Sequence, residues 1–202
     1  MVALSDYETY VRAGIEEGID IIFSGAGLPM QLPECVPVGS AVSLVPIVSS
    51  GRAADLICRK WQTRYGRLPD AVVVEGPLAG GHLGFHLEQL EDPAFRLECL
   101  IADTLAAVRK YEQAHGVEIP VIAAGGIYTG ADILAFEKLG VDGVQMGTRF
   151  VTTTECEVAP AFKQAYLDAR EEDLVIIKSP VGMPGRAIRN AFLEGCITIP
   201  DA

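Results

Sequence analysis

Histidine and cysteine, which build most metal centres and disulfide frameworks, are scarce in this chain: three and five among 202 residues. The cysteines (Cys35, Cys58, Cys99, Cys156 and Cys196) are odd in number and scattered, with no C-x-x-C pair. That pattern excludes common zinc spacings and a disulfide scaffold, and it leads us to expect free thiols in a reducing cytoplasm. His82 and His86 lie four apart, yet no glutamate follows His82 to make a zinc-protease motif. No metal site is expected.

Positive charge is short as well: 16 Lys and Arg face 27 Asp and Glu, a net charge of −11. An exterior of that sign repels phosphate backbones and anionic bilayers, so neither nucleic acid nor a membrane is an expected partner. No apolar run reaches the roughly 18–20 residues that span a bilayer. The opening residues, MVALSDYETY, lack the basic and then apolar segments of a signal peptide. Neither a G-x-x-x-x-G-K-[ST] loop nor a helix-opening G-x-G-x-x-G is present, so a nucleotide held in those ways is not supported.

What is present is aliphatic. Half the residues are apolar and few are aromatic, as in a single domain with a large core. A joint recurs in which a helix-like segment ends at a glycine and a short β-rich run follows: GIDIIFSGAG, GRLPDAVVVEG, GVEIPVIAAGG and GVDGVQMGT. Glycine there takes the left-handed conformation that closes helices. Residues 19–23, 42–48, 72–74, 120–124 and 141–146 form nearly continuous apolar runs, the mark of parallel strands buried on both faces. Between them, helical spacing predicts helices ending at Gly18 and over 52–65, 97–115 and 131–139. The first of these opens on a Ser5/Glu8 capping box. Alternating β and α units with short connections predict an α/β fold of parallel strands. Five such strands are found where a (β/α) barrel has about eight.

The chemistry gathers at three turns that follow strands: residues 79–84, Gly125–Gly126, and Gly147–Thr148. In parallel α/β folds these strand ends converge, and glycines leave bare N–H groups suited to a phosphate. Arg149 could neutralise that phosphate or form an ion pair. His82 stands inside EGPLAGGHLGF, where it could brace the loop or face a flat ligand that the glycines admit. Imidazoles titrate close to neutral pH, so a neutral one there can accept a proton. Surface roles are expected for His86 and His115, and a buried filler role for Cys156.

EGPLAGGHLG, IPVIAAGGIYTGADI and GVDGVQMGTRFVTTTEC, with SGAGLP and SPVGMPGRAIRN, resemble the FMN-dependent nitronate monooxygenases, also called 2-nitropropane dioxygenases. Type II FMN-dependent enoyl-acyl-carrier-protein reductases are close relatives of that family. The resemblance runs from Met1 to about Leu193 and implies a TIM barrel with FMN at its C-terminal mouth. By the resemblance, Gly125, Gly126, Gly147 and Thr148 would hold the phosphate, and Ala79, Gly80 and Gly81 would pass close to the isoalloxazine. His82 would act on the substrate as base or orienting group. The implied reaction oxidises alkyl nitronates with molecular oxygen, and NADH-driven enoyl reduction is the alternative.

Family members are longer than this chain. The expectation is therefore one partial FMN-binding barrel over 1–202, N-terminally truncated, with 179–202 as a tail beyond the barrel. MVAL would be the end of a strand cut through. Half a barrel would expose a parallel edge, which a second copy or a completing chain would cover. A non-catalytic fragment is the reading from another class.

Overall fold

The computed structural model describes residues 1–196. In chain order its regular elements are α1 (Tyr7–Glu16), β1 (Ile21–Ser24), β2 (Ser43–Val48), α2 (Gly51–Tyr65), β3 (Val72–Glu75) and β4 (Gly81–His82). Then follow α3 (Leu97–His115), β5 (Val121–Ala124), α4 (Gly130–Glu137), β6 (Gly143–Gln145), α5 (Thr148–Val151) and α6 (Pro160–Asp168). The elements end with β7 (Leu174–Lys178), β8 (Pro184–Ile188) and α7 (Ala191–Cys196).

All five predicted apolar runs become strands of one sheet, ordered β1-β2-β3-β5-β6, and every pair in it is parallel. The order never doubles back. Each crossover advances the sheet in one direction, as in a (β/α) barrel and unlike the reversing order of doubly wound sheets. The central strand is the most buried, with Val72, Val73 and Val74 fully enclosed. At roughly 1.5–3 kcal/mol for each such side chain, it is the main anchor of the fold.

The helices cover the outer face. Ser50 caps α2, its Oγ accepting from the Ala53 N–H at 3.2 Å, and Gly66 closes the helix in the left-handed region at φ 64°. Predicted α3 bounds match the structure, with Gly116 in the same closing role. Trp61 is fully buried on α2 and donates its indole N–H to the Pro29 carbonyl at 3.1 Å, pinning the loop after β1. At the strand starts, Asp70 accepts from the Leu44 N–H and Asp142 from the Val121 N–H, so two carboxylates stitch adjoining strands together.

Three expectations need correction. The Ser5/Glu8 capping box does not form: Asp6 is the N-cap, with no side-chain bond, so Glu8 falls one position too early to close a box. Met1–Leu4 makes no strand; Val2 and Ala3 donate instead to the Gly25 and Ala26 carbonyls in a turn. The runs at 19–23 and 141–146 are not buried on both faces: Ile21 and Phe23 are 44% and 50% exposed, and Gly143–Gln145 are all half-buried. The cause is position: β1 and β6 are the edges of the sheet.

A second sheet escaped the sequence reading. β4, β8 and β7 form a three-stranded antiparallel sheet, and Gly81 pairs with Arg186 and His82 with Gly185. Part of the expected tail therefore returns to the glycine turn after β3.

Candidate functional site

The three glycine turns do converge. Ala79, Gly80, Gly81, Gly125, Gly126, Gly147 and Thr148 all line one cavity of about 1080 Å³ at the C-terminal ends of β3, β5 and β6. Its size suits a drug- or cofactor-sized ligand. A smaller cavity of about 530 Å³ lies at the opposite strand ends and is lined by Glu112, Glu118 and Asp142. Those carboxylates would repel an anionic guest, so only the first cavity suits a phosphate.

Why glycine is required differs from turn to turn. At Gly125 the reason is internal: φ is +96°, and a Cβ there would sit 3.0 Å from the Gly76 carbonyl oxygen and 3.1 Å from the Ala79 nitrogen. Backbone meets backbone, so the β5 turn is locked against the β3 turn. Gly80 and Gly147 are the reverse case. Neither has positive φ, and a Cβ on either would meet nothing within 4 Å. Protein packing does not demand glycine at these two cavity-lining positions, and a Cβ on either would project into open space. The N–H groups of Gly126 and Gly147 find no main-chain partner among the described residues, which is the donor set a phosphate needs.

The loop after Gly126 is held firmly. Thr129 and Asp132 form a reciprocal capping box on α4. Hydrogen bonds from the Thr129 N–H and hydroxyl and from the Tyr128 N–H hold the Asp132 carboxyl below its ordinary range. Arg149 makes no ion pair among the described residues; its guanidinium lies over the Tyr128 ring, 4.7 Å from the centroid.

His82 stands apart from the other predicted residues. It does not line the cavity, and its Nε2 is buried without a hydrogen-bond partner. It follows cavity-lining Gly81 directly. His86 caps a short turn at Leu87–Gln89 and is exposed, and His115 ends α3, as their surface readings required. Cys156 is half-buried rather than a buried filler, and Cys35, Cys58 and Cys99 are likewise free thiols; the side chain of Cys196 lies outside the described residues.

Two site residues were missed. Glu75 ends β3 and reaches the cavity, and burial pushes its carboxyl up from an ordinary 4.5 to about 7. The signal was available: an acid directly after three valines. Arg186 comes from β8 and reaches the same cavity. Its Nε donates to the Ala79 carbonyl at 3.2 Å and its Nη2 to the Pro77 carbonyl at 2.9 Å. It lies within the quoted segment SPVGMPGRAIRN, but nothing local there points to the cavity, because the contact spans more than a hundred residues.

The chain is similar to known proteins in sequence and in fold. A probable nitronate monooxygenase of Staphylococcus aureus (strain Newman) is 39% identical over 125 residues, 62% of this chain and 33% of that protein. FabK from Thermotoga maritima superimposes with a TM-score of 0.71 at 29% identity, over 95% of this chain and 53% of its own. Nitroalkane oxidase from Streptomyces ansochromogenes gives 0.68 at 26% identity, over 93% of this chain and 50% of its own. The chain thus spans about a third of the curated relative and about half of each structural neighbour. The sequence profile described as nitronate monooxygenase matches residues 2–198, and the chain belongs to that family.

Proposed function

We propose that this chain carries the FMN-binding face of a nitronate monooxygenase that oxidises alkyl nitronates with molecular oxygen. The observation that carries the reading is the shared cavity, in which Gly80 and Gly147 keep space that no protein atom uses. Gly125, Gly126, Gly147 and Thr148 would hold the cofactor phosphate through backbone donors, and Ala79, Gly80 and Gly81 would flank the ring. FMN, when bound there, would supply the redox chemistry that oxidises the substrate and passes electrons to oxygen. His82 is the proposed base or substrate-orienting group. Its buried, partnerless Nε2, one residue from cavity-lining Gly81, supports this role.

Four free cysteines among the described residues support a reducing, cytoplasmic setting. No described helix is long and apolar enough to cross a membrane. The exposed apolar face of β1 supports coverage by a second copy or a completing chain.

The test is visible absorbance of the purified chain with added FMN, followed by oxygen uptake with propane-2-nitronate. A bound-flavin spectrum and nitronate-dependent uptake that falls by roughly a hundredfold or more in His82→Ala support the reading. No flavin at excess FMN overturns it for this chain alone. The similarity to FabK favours one rival, which predicts NADH oxidation driven by an enoyl thioester and no response to nitronate.

A further inference from the structure

Arg186 has two of its guanidinium nitrogens committed to main-chain carbonyls of the turn that carries Gly80 and Gly81. Its Nη1 has no partner among the described residues, and no carboxylate approaches the group within 4.0 Å. Carbonyl contacts satisfy donors but leave the charge uncancelled. Five other titratable groups line the cavity. Glu75 is kept neutral by burial up to about pH 7. Tyr128, Tyr166 and Arg170 add no negative charge, and Glu171 is exposed. A half-buried cation therefore faces this cavity without a fixed counter-ion, in a chain of net charge −11.

Its geometry is also constrained. The two carbonyl bonds and the β4–β8 pairing fix the side chain, so its planar fork is pre-organised. Such a fork matches flat oxyanions in bidentate fashion, which a lysine ammonium cannot do.

We propose that Arg186 is the specificity-determining residue of this cavity, its free Nη1 edge receiving a planar oxyanion, nitronate or carboxylate, beside the turn at residues 77–81. The inference rests on the proposed nitronate site and adds what would select substrate there: the anion over the neutral nitroalkane of the same skeleton. A cofactor phosphate offers related oxyanion chemistry, and the experiment separates the two.

The flavin-free chain is titrated with propionate while the arginine side-chain N–H resonances are followed, Arg186 being assigned by through-bond correlation to its own backbone. The expected result is a saturable shift of the Arg186 signal with propionate and none with propionamide, its neutral isostere. Calorimetry should then find propionate binding weakened by about tenfold in both R186K and R186M. An Arg186 signal that propionate leaves unmoved overturns the proposal, and this arm needs no variant to fold. Displacement of propionate by inorganic phosphate, together with a tenfold loss of FMN affinity in R186K, assigns the edge to the cofactor and overturns the substrate role. Failure of FMN to bind the wild type sinks the proposed function but leaves the propionate result standing.

Discussion

Glu75→Gln should reverse part of the chain's pH dependence. In the folded protein burial raises the Glu75 carboxyl from 4.5 to about 7, whereas in the unfolded chain it returns to its ordinary value. Between those limits the folded state holds a proton that the unfolded state has released, so stability falls as pH rises. The contribution is fully present below about pH 4.5, declines through the interval and is lost above about pH 7. Each pKa step is worth about 1.4 kcal/mol, which makes the whole decline about 3 kcal/mol. Glutamine keeps the shape and cannot ionise. The variant should exceed the wild type by about 1 kcal/mol near pH 5 and by about 3 kcal/mol near pH 8, the latter about 6–12 °C in Tm for a chain of this size. Thermal or urea melts of both proteins across pH 5–8 measure the difference, which cancels every contribution the two share. Parallel stability curves for the two proteins would refute the reasoning, because they would mean Glu75 is ionised in the fold at no cost.

Gly147→Ala and Gly80→Ala should melt like the wild type, because their Cβ atoms meet no protein. Each should weaken FMN binding by about 10- to 100-fold in a flavin titration, since the methyl fills ligand space. Gly125→Ala should lower stability by about 2–4 kcal/mol in urea, from positive φ and the contact with the Gly76 carbonyl. Gly51→Ala pushes a methyl into the Asp103 carbonyl where α2 meets α3. It should cost about 1–3 kcal/mol, despite the better helix propensity of alanine.

The parallel sheet was legible because each strand is written in consecutive apolar residues. Helix ends were legible where one residue dominates, as Gly66 and Gly116 do. Convergence of the three glycine turns was also readable, since parallel strands bring their C-terminal ends to one side whatever their side chains. Local signals failed where a neighbour distant in sequence decides the outcome. Ile21 and Phe23 read like buried strand residues, yet they are exposed because nothing among the described residues lies beyond β1. β4 has only two residues, too short for any periodicity, and it exists because β8 pairs with it. Arg186 lay in a quoted segment, but its place in the cavity was unreadable for the same reason. Ser5 failed more simply, through a shift of one position in the start of α1.

The pairing of β4 with β8 has a consequence for how the protein is made. Strands β1, β2, β3, β5 and β6 meet their neighbours in the order in which a ribosome releases them, so the sheet can grow as the chain emerges. The wall of the cavity cannot. The Ala79 and Pro77 carbonyls wait for a guanidinium 107 and 109 residues downstream. Until β8 has emerged, the glycine turn is held only by its contacts with the β5 turn and lacks these two bonds. A nascent chain halted before β8 would have a sheet and no working mouth.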